Sequence, residues 1–202
     1  MQPFRKLDGK VTPIYQDDID TDIIVPTEFI KRIERTGFDQ YLMYYWRYDE
    51  HGKEYRDFPL NQKEYKGAPI LLTGANFGCG SSRENAVWAL YDFGFRAILA
   101  PSFADIFKNN CQNNGLLPIE LEQGVIDELY QRTQEESLFL TIDLENNIIS
   151  DRNQITLPIH IDPKTRHKFL EGLDDIDLTL SVEKEITDFE NRRPFYMDPI
   201  KK

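Results

Sequence analysis

The chain has 202 residues, 40% of them apolar, and a net charge of −11 from 35 acidic and 24 basic residues. That apolar share supports one ordinary domain over 1–202 and excludes wholesale disorder. The acidic balance excludes a nucleic-acid or anionic-membrane binder, since either needs a basic footprint, while leaving room for a few arginines to build a local anion site.

In chain order, Val11–Tyr15 reads as a strand and DDIDTDIIVP as a polar loop closing on Pro26. Thr27 is placed to cap a short helix through about Arg35, ended by Thr36–Gly37. FDQYLMYYWRY is bulky and ambiguous between helix and strand, and DEHGK is a turn. The clearest stretch follows. Ala68–Thr73 is a buried strand, and the glycine loop GANFGCGSSRENA leads into a helix with Ala86, Ala89, Leu90 and Phe93 on one face. Gly94 stops that helix. Arg96–Pro101 is the next strand, Ser102 caps a helix to about Asn110, Leu116–Leu121 is a third strand, and Val125–Gln134 is a helix.

Strand–helix alternation of this kind implies βαβ units with parallel pairing. Leu138–Leu144 and Gln154–Ile161 then alternate as strands around an Asn146–Asn147 turn, with Pro158 marking an edge or bulge. Asp162 caps a helix to Glu171–Gly172, and a last helical pattern covers about Asp175–Glu190. The expected class is α/β: a layered fold whose mixed sheet carries βαβ units and an antiparallel extension.

The longest uninterrupted apolar runs, Tyr41–Trp46 and Ala86–Tyr91, are six residues each, against roughly 20 for a membrane span. The opening MQPFRKLDGK has no signal-peptide core. Cys79 and Cys111 lie far apart, outside any CxxC or Cys/His cluster. Neither a disulfide scaffold nor a metal or iron–sulfur site made by this chain alone is expected. A cytoplasmic protein is the simplest expectation.

The glycine loop fails both nucleotide-loop patterns. The position five after Gly74 is Cys79, and no lysine precedes the serines, so it is not a Walker loop. Arg83 stands where a dinucleotide fingerprint needs its third glycine. A structural account is available: Ser81 and Glu84, three apart, have capping-box spacing. The functional account rests on residue types. A helix start favours anions, and Ser82 and Arg83 add donors there, Arg being suited to a two-pronged grip on carboxylate. Ser81, on a tight loop amid positive charge, is placed to act as a base.

These residues resemble the active-site signature G-x-N-[FY]-G-x-G-S-S-R-E-H-A of the aconitase swivelling-domain family, and within it the small-subunit family of isopropylmalate dehydratases. DIDTDIIVPTEFIKRIERTGF, APSFADIFKNNCQNNGLLPIEL, GLDDIDLTL and RRPFYM are similar to further motifs of that family, in order along nearly the whole chain. The resemblance implies a reversible dehydration and rehydration of a small dicarboxylate, 2-isopropylmalate to 3-isopropylmalate through isopropylmaleate. It implies Ser81 as base, Ser82 and Arg83 as carboxylate ligands, and Asp22 as support for a histidine of the other half-site. The stretch around Arg35–Thr36 is similar to the loop that reads the substrate's variable group.

The resemblance further implies that no cofactor is held by this chain. A [4Fe–4S] cluster belongs to a separate large subunit, the expected partner. Asn85 departs from the family, which usually has histidine there; asparagine replaces a hydrogen bond of histidine but not its charge.

Other features have plainer readings. His51, His160 and His167 do not cluster, and Tyr41–Trp46 is packing or subunit interface. DDIDTD lacks the glycine and distal glutamate of a calcium loop, and SVEKEITDFENRR is a solvated helix face. Two other functions remain open at this level: a sister hydro-lyase acting on homoaconitate- or citraconate-type diacids, and a non-catalytic carboxylate-binding module.

Overall fold

A computed structural model describes residues 1–30, 34–151 and 155–192. Residues 31–33 of the helix expected from Thr27, the start of the strand expected at Gln154, and RRPFYM beyond Arg192 lie outside the described residues, and Glu34 and Arg35, where that helix is expected to end, are not helical. One seven-stranded sheet organises the chain in the order β4-β3-β2-β1-β5-β6-β7. Its strands are β1 (Lys6–Ile14), β2 (Ile70–Thr73), β3 (Ala97–Ala100), β4 (Leu117–Glu120), β5 (Phe139–Asp143), β6 (Ile148–Ser150) and β7 (Thr156–Pro158). β1 to β4 pair in parallel, whereas β5, β6 and β7 extend the β1 side antiparallel. This is the mixed sheet that the alternation of elements implied.

Every residue of β2 and β3 is buried, as expected for parallel strands covered on both faces. Alternate side chains feed two cores. Leu71 and Ile98 face one with α3 (Glu84–Phe93) and α4 (Asp105–Asn113), while Ile70, Leu72 and Leu99 face the other with α5 (Gln123–Glu135) and α6 (Pro163–Glu171). The ambiguous aromatic segment resolves into a 3₁₀ turn (Asp39–Tyr41) and α2 (Tyr44–Arg47). It packs on the first core through Phe38, Leu42 and Met43. Buried Arg47 ties it together, donating to Asn61 Oδ1 at 3.0 Å and to the Asp39 carbonyl at 3.0 Å.

Several expected boundaries move, for local reasons. The aspartate-rich segment is not all loop: Asp20 caps α1 (Thr21–Ile24), its Oδ1 accepting from Ile23 N at 2.7 Å. Thr27 opens only a 3₁₀ turn (Thr27–Phe29) preceded by Pro26, and its hydroxyl donates to Asp22 instead of capping. Ser102 caps nothing. Helix α4 begins three residues later, and Ser102 accepts from Asn76 N at its Oγ (2.9 Å) and from Phe77 N at its carbonyl (3.1 Å). The last helical pattern is two helices, α7 (Asp175–Leu180) and α8 (Glu183–Arg192). Other signals fall where the residue types put them, with Gly94 ending α3 at φ +119° and Asp162 capping α6 through Thr165 N at 2.9 Å.

Candidate active site

The carboxyl ends of parallel strands are where α/β folds leave a crevice, and here the segment after β1 lies beside the segment after β2. Backbone bonds lace the two together: Gly74 N to Gln16 O (3.2 Å), Asp18 N to Ala75 O (2.9 Å), Gly78 N to Ile19 O (2.8 Å) and Thr21 N to Cys79 O (2.9 Å). Aspartates from the DDIDTD run complete the lacing. Asp17 Oδ1 accepts from Ala75 N and Asp18 Oδ1 from Asn76 Nδ2, both at 2.7 Å. The aspartate segment is therefore a scaffold for the glycine loop.

Gly78, at φ +77°, lies so close to the buried ring of Phe107 that a Cβ would overlap it. Gly80 turns at φ +87° and delivers Ser81 and Ser82, both exposed, to a cleft of about 260 Å³. Arg83, Thr21 and Ala104–Phe107 complete its lining. Thr21 Oγ1 donates to the Ser81 carbonyl at 2.8 Å, which fixes the serine's backbone and leaves its side chain uncommitted by that bond.

Ser81 is not a helix cap. Helix α3 begins at Glu84 with Arg83 at its N-cap position, and no side chain bonds there. Glu84 Oε1 accepts instead from Asn114 Nδ2 at 3.0 Å, so the capping-box reading is overturned. α4 also starts at the cleft, with Ala104 at its N-cap and no side-chain cap bond. Two helix N-termini thus open on one cleft, and the free N–H groups and dipole of each favour an anion. Asp105, in the first turn of α4, is the acidic member of the lining.

Arg83 Nη1 donates to Asp22 Oδ1, and Thr27 Oγ1 donates to the same oxygen at 2.5 Å. The Arg83 side chain is 15% exposed and that of Asp22 51%. The Thr27 hydroxyl first, and the Arg83 guanidinium second, hold the Asp22 carboxyl below its ordinary value, against a smaller opposing effect of burial. A lowered carboxyl pKa stabilises the fold above the ordinary value of 3.8, and the contribution is lost as pH falls below it. We expect Asp22→Asn to unfold at lower denaturant than wild type at pH 7, modestly because Asp22 is half exposed. The two midpoints should converge as pH drops towards 3. A gap independent of pH would show that the charge of Asp22 does not hold Arg83.

The other predicted residues are not brought into the cleft lining. Asn85 is half-buried in the first turn of α3. Arg35 and Thr36 are exposed, and the Arg35 guanidinium lies over the Trp88 ring of α3, 5.4 Å from its centroid. Sequence reasoning missed Thr21 and the start of α4. The available signal was topological: β2 and β3 are adjacent parallel strands, so the segments after both open on the same edge.

Cluster ligands are thiolates, and this chain offers two poor candidates. Burial pushes the thiol of fully buried Cys111 well up; burial first, then Asp20 and Asp18, raises that of Cys79. Among the described residues no three His, Cys, Asp or Glu side chains are grouped to hold a metal ion. The residues present do not fit an iron–sulfur cluster. Also among the described residues, no helix is long and apolar enough to cross a membrane.

Residues 1–124 match the aconitase C-terminal domain family, which defines the class of fold and loop. Over nearly its whole length the chain is similar to curated bacterial proteins named 3-isopropylmalate dehydratase small subunit. It is 52% identical to that of Rhodopirellula baltica over 96% of this chain and 100% of the relative. It is 50% identical to that of Koribacter versatilis over 94% and 98%, and 45% identical to that of Bacillus subtilis over 98% and 99%. The solved structure of 3-isopropylmalate dehydratase from Methanocaldococcus jannaschii superimposes with a TM-score of 0.65 at 28% identity, covering 92% of this chain and 99% of that one. The chain belongs to the 3-isopropylmalate dehydratase small-subunit family.

Proposed function

We propose that this chain is the small subunit of a hydro-lyase of leucine biosynthesis that interconverts 2-isopropylmalate and 3-isopropylmalate through isopropylmaleate. Near-full-length identity to named small subunits carries the reading. The cleft supplies its chemistry: a serine pair and an arginine where two helix N-termini meet.

In this reading Ser81 Oγ removes the proton from the carbon beside the carbinol. The C–H electron pair becomes the double bond and the hydroxyl departs as hydroxide, which a Lewis acid on the partner subunit would accept; hydration returns the proton from Ser81 to the former carbinol carbon and places the hydroxyl on the carbon that had lost its proton. Ser82 and Arg83 hold a substrate carboxylate. Arg83 gives one nitrogen to Asp22, and a guanidinium has five N–H donors, so a two-donor edge remains for the ligand. Fixed in this way, Arg83 and the helix N-termini also favour the deprotonated form of Ser81. Arg35 and Thr36, on a segment packed against α3, are proposed to read the isopropyl group, with Asn85 setting the environment behind the loop.

Because the thiols of this chain do not fit a [4Fe–4S] cluster, the cluster is assigned to a large subunit, the partner that the name "small subunit" entails for the relatives. The chain works in the cytoplasm on a small dicarboxylate, with neither nucleic acid nor membrane involved.

The test is a titration of the purified chain against a cognate holo large subunit, with isomer formation followed directly for isopropylmalate, homoaconitate and citraconate-type diacids. Activity should be absent from this chain alone and should saturate with the ratio of the two chains, with isopropylmalate preferred. Turnover by this chain alone, or preference for another diacid, would overturn the assignment.

Arg83→Lys keeps the charge but loses the planar fork. It should weaken substrate binding by about 1.5–3 kcal/mol, the range for hydrogen bonds to charged groups. Near-native KM in that variant would show that Arg83 does not clamp a carboxylate.

A further inference from the structure

A second, larger cleft of about 620 Å³ opens beside the end of β1 and is unused by the chemistry above. Tyr45, Trp46, Tyr55 and Phe58 line one side, and Tyr15 and Tyr130 the other, those two rings stacked with centroids 4.4 Å apart. Tyr15, Tyr45 and Tyr55 are 38%, 60% and 48% exposed. Rings left in water at this density have the composition of a binding surface, where tyrosine supplies apolar contact with a polar tip.

The cleft's electrostatics select the kind of occupant. Among the described residues that line it, the charged one is Asp57, exposed at the rim. The hydroxyl of Tyr15 donates to Asp127 and that of Tyr45 to Glu28, and these hydrogen bonds raise both tyrosines above their ordinary pKa. A phenol whose proton points at a carboxylate keeps an electron-rich ring face, and such faces attract cations. One lining ring already meets a cation from outside the lining: Lys10 Nζ lies 4.8 Å from the centroid of the Tyr65 ring and pairs with Glu64 at 3.8 Å.

The position of the cleft selects the source of the cation. Gln16, in its lining, accepts the backbone bond from Gly74 that begins the glycine loop. Glu28, which holds Tyr45, follows Thr27, which holds Asp22 and through it Arg83. The Tyr15–Gln16 end of the aromatic cleft therefore lies at the carboxyl end of β1 beside the glycine loop, while Gln62, Tyr65, Thr133 and Gln134 continue it towards the other edge, so a body seated over Ser81 reaches the cleft at its Tyr15 end.

We propose that this aromatic, acid-rimmed cleft is a docking site for an arginine or lysine side chain of the large subunit. The inference rests on the proposed function, which places a second subunit over the Ser81 cleft. The acidic rim and the chain's net charge of −11 complement a basic partner, and an open trough of this size takes a side chain with its flanking backbone. A second copy of this acidic chain would bring like charge to like.

The experiment measures association of the full chain with the holo large subunit by calorimetry without substrate, and turnover at saturating large subunit. Tyr55→Ala should weaken association by about tenfold, the effect of one good cation–π contact, while Tyr55→Phe, which keeps the ring, should bind as wild type. Asp57→Asn should weaken it less than Asp57→Lys, and raised salt should weaken wild type more than Asp57→Asn. All four variants should reach wild-type turnover once saturated, since these exposed side chains lie outside the Ser81 cleft, and their thermal midpoints should not move.

Unchanged association in Tyr55→Ala and Asp57→Lys would overturn the docking site while leaving the enzyme assignment standing. Loss in Tyr55→Ala with none in Asp57→Lys would overturn the cation and indicate an apolar occupant. Failure of the wild-type chain to bind or activate the large subunit would instead sink the functional reading, and this one with it.

Discussion

Ser81→Ala should lower turnover in the reconstituted enzyme by about 10²–10⁴-fold, the usual contribution of a positioned proton-transfer group, and leave KM nearly unchanged. The split follows from what the residue touches. In the proposed reading binding falls to Ser82, Arg83 and the two helix N-termini, whereas Ser81 Oγ acts only while the C–H bond breaks. The structure also separates this effect from folding. Helix α3 starts at Glu84 and takes no cap from Ser81, and the bond that Ser81 receives, from Thr21 Oγ1, ends on its carbonyl. Alanine keeps that carbonyl, so stability should change by no more than about 0.5 kcal/mol, as for a surface substitution without special contacts. Thermal melts and steady-state kinetics on the same preparation check both halves. A raised KM with turnover intact would move Ser81 from base to binding group.

What could be read in the sequence was local. Asp162 before a helical pattern, Gly94 after one, and the alternation over Leu138–Leu144 each act within a few residues, and each placed its element. The type of sheet followed from the order of elements. That Ser81, Ser82 and Arg83 sit on one loop was legible because a glycine loop before a helix is itself a short-range pattern.

The misses share a different cause. Ser81, Thr27 and Ser102 all had the composition of caps, but each is claimed by a bond that the local pattern does not contain. Ser102 is taken by Asn76 and Phe77 of the glycine loop, and the Ser81 carbonyl by Thr21 from the segment after β1. The pairing of Arg83 with Asp22 spans 61 positions. β6, three residues long, is too short to show a period. Ser102 chooses a tertiary bond over a cap because of what the fold delivers to it, and that choice is settled only when β2 and β3 pair.

Gly78→Ala should cost about 2–5 kcal/mol of stability and most of the reconstituted activity. Two terms add. The backbone there has φ +77°, a left-handed conformation that costs an L-residue roughly 1–2 kcal/mol. The new Cβ would also overlap the ring of Phe107, which is 2% exposed and packed edge-on against Phe77 at 5.3 Å between centroids. Relieving such an overlap in a dense core costs roughly 1–3 kcal/mol more. For a chain of this length each kcal/mol moves the thermal midpoint by about 2–4 °C, which makes the shift easy to read. Activity falls because Phe107 belongs to both the wall of the Ser81 cleft and the first turn of α4. Displacing it tilts one of the two helix ends proposed to favour the substrate carboxylate. The double variant Gly78→Ala with Phe107→Leu separates the terms: the smaller side chain makes room for the Cβ but leaves the strained φ, so the pair should be less destabilised than the sum of the single changes. Strict additivity would mean that the glycine is required for its backbone angle alone, and that the loop does not rest on Phe107.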